Sequence, residues 1–139
     1  MYKGIAVNTL KEKLSILSEM IAFARVDNTL KQSEYDFLFN VAQSLEVSKK
    51  EFDGLFQREV EHIIPKSQAE RLVQFNRLIL LMNIDDENNL KEIERLHDIG
   101  LRMGLPPSAI EQVLSIMHEY PNKIVPPEII INIFKAHYN

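Results

Sequence analysis

Apolar side chains return every three or four residues through most of the chain, beginning with Leu10, Leu14, Leu17, Ile21 and Ala24. At 3.6 residues per turn these steps fall on one stripe of a helix, whereas strand-like alternation is nowhere sustained. The polar positions at the starts of the apolar stretches carry their own signature. A residue able to cap the first free N–H groups is followed three positions later by a carboxylate that reaches back to the cap. Thr9 with Glu12, Ser33 with Asp36, Ser48 with Glu51, Ser67 with Glu70 and Asn89 with Glu92 all fit. One such cap is worth about 1 kcal/mol, so the set marks helix beginnings consistently. Pro107 and Pro127 open two further stretches with the fixed φ that suits a first helical turn, and Gly104 stands where a helix C-cap is expected. The pattern predicts an all-α protein of seven helices, at 10–26, 34–46, 49–63, 68–84, 90–104, 107–119 and 127–138. Their short connections favour antiparallel neighbours in a compact bundle.

The same pattern repeats within the chain. An offset of 58 residues carries Asp27 to Asp85, Ile21 to Ile79, Glu34 to Glu92 and Leu38 to Leu96. It goes on to carry Val41 to Ile99, Leu45 to Met103, Val47 to Leu105, Phe52 to Ile110 and Leu55 to Val113 without a gap. A shared offset over three helices predicts a single domain of two similar halves, about 10–63 and 68–119, with a closing helix at 127–138. The stretch 57–67 then reads as the joint between them, with Ile63 and Ile64 expected to be buried.

Totals narrow the chemistry. The 139 residues, 45% of them hydrophobic, suffice for one packed core. With charges of mixed sign and a net charge of -4, no sustained positive field exists to hold a phosphate backbone, and nucleic acid is not expected as a partner. The absence of cysteine excludes disulfides, thiol catalysis and thiolate-bound metals. Met1 to Leu14 reach charged residues before any apolar run of signal-peptide length, and the strongest apolar run, Leu78 to Met82, is far too short to span a bilayer. A cytoplasmic protein without membrane insertion is expected. The four histidines never pair at helical spacing, and neither a metalloprotease helix, a nucleophile elbow nor a phosphate-binding glycine loop occurs. No enzyme is expected.

What remains is acidic. Asp27 falls near the C-terminus of its helix, where the dipole disfavours a carboxylate by about 0.3 to 1 kcal/mol. Either the turn's own amides or a cation must offset this. An apolar helix ending in Ile21 to Asp27, a short turn with Leu30, and then Ser33, Glu34 and an apolar helix running on to Phe56 resemble the TerB-like (tellurite-resistance protein B) family. The resemblance covers Leu14 to Phe56 and, more loosely, Phe75 to Met117. It implies a compact all-α bundle of two related halves and a non-catalytic role in bacterial tellurite resistance or other stress responses. It also implies protein partners, some membrane-associated, and acidic turn residues that serve as candidate divalent-cation ligands. Carried over, these are Asp27 and Glu34, with Asp85 and Glu92 in the second half. The family's usual glycine after the aspartate is replaced by Asn28 and Asp86, and Asn88 stands where the first turn has Leu30. Oxygen-only ligation favours Ca²⁺, Mg²⁺ or Mn²⁺. An EF-hand is excluded by counting, because the position of its bidentate glutamate is Leu38 in one turn and Leu96 in the other. The alternative is a purely structural protein–protein interaction module whose carboxylates cap and solvate. Tyr35 and Phe39, beside the apolar stripe of the second helix, are the candidate partner-binding residues.

Overall fold

Thr9 begins the first helix as its pairing with Glu12 predicts. Its hydroxyl accepts the Glu12 N–H at 3.1 Å, and the Glu12 carboxylate accepts the Thr9 N–H at 2.8 Å. The computed structural model describes residues 8–26, 29–84 and 90–138. Among these residues there are seven α-helices and no strand: α1 (Leu10–Ala24), α2 (Gln32–Ser44), α3 (Lys49–Gly54), α4 (Gln68–Met82), α5 (Leu90–Arg102), α6 (Pro107–Ile116) and α7 (Pro127–His137). Two single-turn 3₁₀ segments, Met117–Glu119 and Pro121–Lys123, lead from α6 to α7. No described helix is long and apolar enough to cross a membrane.

The core lies between α1 and α4, which pack against each other. Helix α2 lies on α1 and α5 on α4, while α3 and α6 pack against α2 and α5, and α7 against α6. The apolar stripes read from the sequence turn inward: Leu17, Met20, Phe75 and Leu78 from the central pair, Leu38 and Leu96 from the flanking pair, and Phe52, Ile110 and Phe134 from the outer helices are all fully buried. Each such side chain contributes about 1.5 to 3 kcal/mol by leaving water. Of the closing helix's isoleucines, Ile130 and Ile133 are buried and Ile131 is exposed.

Helix starts recur at a single spacing. Leu10 and Gln68, Gln32 and Leu90, and Lys49 and Pro107 each stand 58 residues apart, and the first two pairs of helices also end at that offset. Turn hydrogen bonds follow suit. At the end of α5 the Leu105 N–H bonds the Gly100 carbonyl at 3.0 Å and the Gly104 N–H bonds that of Leu101 at 3.0 Å. At the end of α2 the Val47 N–H bonds the Ala42 carbonyl at 2.9 Å and the Glu46 N–H bonds that of Gln43 at 3.0 Å. Both are Schellman closures, which need one left-handed residue. Gly104 takes φ +76 at the end of α5, and Glu46 is held at φ +60 at the end of α2.

Three expectations need correction. Helix α3 stops at Gly54 instead of reaching residue 63. Ile64 precedes Pro65 and is thereby steered out of helical φ/ψ, and Ser15 of α1 takes the Ile63 N–H at 2.6 Å, so the chain beyond α3 is drawn across α1. In that joint Ile63 is partly buried but Ile64 is 47% exposed. Finally, the cap of α2 is Lys31, not Ser33, and the carboxylate that reaches back is Glu34, not Asp36.

Candidate functional site

Glu34 and Glu92 occupy the third position of α2 and of α5. Both are only 4% exposed. The other carboxylates that start helices, Glu12, Glu51 and Glu70, are each partly open to solvent. Lysine offers no oxygen to cap a helix, and the carboxylate of Glu34 turns back to accept the Lys31 N–H at 2.9 Å. Asp27 and Asp85, the remaining two sequence-predicted ligands, lie outside the described residues, as do Asn28, Asp86 and Asn88. Among the described residues no three His, Cys, Asp or Glu side chains are grouped as a metal site would require.

Tyr35 and Phe39 are partly buried in an aromatic cluster that fastens α3 to α2. Tyr35 packs against Phe52 at 5.5 Å and Phe56 at 5.7 Å between ring centroids, and Phe39 against Phe52 at 5.7 Å. The Tyr35 hydroxyl donates to the Asp53 carboxylate at 2.9 Å, and Lys49 donates to the other oxygen at 2.6 Å. Lys49 first and then Tyr35 hold the Asp53 carboxyl below its usual range, while the bond to Asp53 raises the Tyr35 phenol.

A second polar constellation escaped the sequence reading. At the seam of α1 and α4, the Gln74 amide donates to Glu19 at 3.0 Å and to the Ile16 carbonyl at 3.3 Å, while its oxygen accepts from the Arg77 guanidinium at 3.1 Å. Glu19 is also approached by Arg102 at 3.8 Å. Arg77 lines a cavity of about 140 Å³ whose walls include Ile16, Leu45, Ile63, Pro65 and Val73. Burial pulls the Arg77 guanidinium below the usual arginine range, against a partly offsetting attraction from Glu70. The available signal was the pair Gln74 and Arg77, one turn apart and, with Asn76, interrupting the apolar positions from Leu72 to Met82.

The fold defines an all-helical protein. No protein-family model matches the chain, and no curated protein and no solved structure matches it either.

Proposed function

We propose that the chain is a non-catalytic TerB-like adaptor of the bacterial cytosol, built from two related halves, with acidic helix corners that bind a divalent cation such as Ca²⁺, Mg²⁺ or Mn²⁺. The observation that carries this reading is the matched burial of Glu34 and Glu92, 58 residues apart and each 4% exposed. A carboxylate withdrawn from water loses solvation that must be recovered from N–H donors or from a cation. Its appearance at the same helical position in both halves points to one task done twice. Asp27 and Asp85 are the second ligand of each corner. A bound ion would rigidify the corner and fix the neighbouring face, where Tyr35 and Phe39 are the residues offered to a protein partner. Without cysteine there is no thiolate for a tellurium oxyanion, so a part in tellurite or stress resistance would run through that partner.

A second reading rests on the Lys31 N–H that already occupies one oxygen of Glu34. On this reading the carboxylates only close the corners, and the protein is a metal-free interaction module. Calorimetric titration with Ca²⁺, Mg²⁺ and Mn²⁺ separates the two. The adaptor reading expects saturable heat that is abolished in the Asp27→Asn, Glu34→Gln double variant and reduced in Glu92→Gln. Silence at millimolar metal, or heat that survives the substitutions, leaves the metal-free module.

A further inference from the structure

The cavity beside Arg77 is separate from the acidic corners, and its chemistry is different. A guanidinium has five N–H donors in a planar fork. Among the described residues Arg77 uses one of them, to Gln74, which leaves four without a protein acceptor. Glu70 acts on it through its field without an ion-pair contact. A partly desolvated guanidinium at the edge of an apolar cavity favours an incoming carboxylate, which it can hold with two parallel hydrogen bonds.

We propose that this cavity binds a short aliphatic monocarboxylate, its carboxylate on Arg77 and its hydrocarbon tail against Ile16, Leu45, Ile63, Pro65 and Val73. Size sets the length. At about 140 Å³ the cavity is close to that of an apolar protein cavity known to accept benzene, so a ligand of about six or seven heavy atoms fits, a carboxylate with three or four further carbons. Charge sets the valence. Glu12, Glu70 and Lys66 also border the cavity, and with Arg77 the four sum to zero. Glu12 is committed to the Thr9 N–H and Glu70 to the Ser67 hydroxyl at 3.0 Å, so neither neutralises the guanidinium directly. A second negative charge, on a dicarboxylate or a phosphate, would face these two acids, whereas a single one meets the unused donors.

The test is calorimetric titration of the full chain, in the presence of a chelator, with isovalerate, acetate and the neutral isostere isovaleramide. Isovalerate is expected to bind saturably at one site. Isovaleramide should bind at least about tenfold more weakly, because the charge-assisted pair is lost. Acetate should be weaker for want of a tail. Arg77→Met should reduce isovalerate affinity by the same factor, with helical circular dichroism unchanged. Should that variant unfold, the Arg77 Nε–H resonance of the wild-type protein must shift on adding isovalerate and stay in place with isovaleramide. Equal affinity for acid and amide, no binding at tens of millimolar isovalerate, or an Arg77 resonance indifferent to the acid each overturns the proposal. The chelator keeps the outcome independent of any cation at the helix corners.

Discussion

Glu46 occupies a backbone conformation that its equivalent, Gly104, adopts without a Cβ to object. An L-residue in the left-handed region is disfavoured by about 1 to 2 kcal/mol, part of which a glycine returns as chain entropy. Glu46→Gly should therefore stabilise the fold by about 0.5 to 1 kcal/mol, and Gly104→Ala should destabilise it by about 1 kcal/mol. Urea unfolding followed by circular dichroism measures both. The glycine was legible as a C-cap because its residue type announces the conformation; nothing about a glutamate does so. Glu34 was legible as a first-turn carboxylate, yet its burial was not. Periodicity tells which stripe a residue occupies but not how deep that stripe lies, and the cap fell on Lys31, a residue with no capping oxygen. The Tyr35 to Asp53 bond carries a pH dependence of its own. The lowered Asp53 contributes stability above its unfolded pKa, lost as pH falls through the folded value; the raised Tyr35 contributes below its unfolded pKa, lost as pH rises through the folded one. The stability difference between wild type and Tyr35→Phe should accordingly be greatest near neutrality and shrink towards both acid and alkali in a pH series of urea melts.

Among the elements, α5 and α6 cross closely at Gly100. A Cβ added at Gly100 would meet Cδ1 of Ile110 at 2.6 Å and the Phe75 ring at 3.4 Å. Both neighbours are fully buried and have little room to yield. Gly100→Ala should cost about 1 to 3 kcal/mol, and the pair Gly100→Ala with Ile110→Val should recover part of it, a coupling that a double-mutant cycle reads directly. At the equivalent position of α2 the residue is Ala42, itself buried, so α3 crosses with room for one more methyl group. Helix starts were the most legible feature of the chain, since Thr9, Ser48 and Ser67 all cap as their spacing to a carboxylate implied. The end of α3 was the least legible. Gln57 to Ile64 holds apolar residues at spacings compatible with a helix; Pro65 warns locally against helix only at Ile64, and the Ile63 N–H is taken by a hydroxyl 48 residues away, that of Ser15. Local pattern carries no trace of such a competitor.

At the scale of the molecule, α1 and α4 pack against each other along the middle of the core. Leu17 and Met20 of α1 and Phe75 and Leu78 of α4 are fully buried, and the Glu19, Gln74 and Arg77 relay spans the contact between the two helices. Fragments comprising residues 8–65 and 66–138 should each show little helix in isolation and regain it on mixing, as monitored by circular dichroism. Substantial helix in either fragment alone would count against this mutual dependence. The offset of 58 residues was visible in the sequence because the same apolar ladder occurs twice, and the helix bounds coincide with it. The way α1 meets α4 was not visible, because apolar stripes can face one another in several arrangements that periodicity does not rank. The separation between α1 and α4 also bears on the birth of the protein. At about 5 to 20 residues per second, synthesis leaves α1 waiting some 3 to 12 s for its mate to emerge from the ribosome. Over that interval a greasy rod is on offer to any chaperone stationed at the exit tunnel.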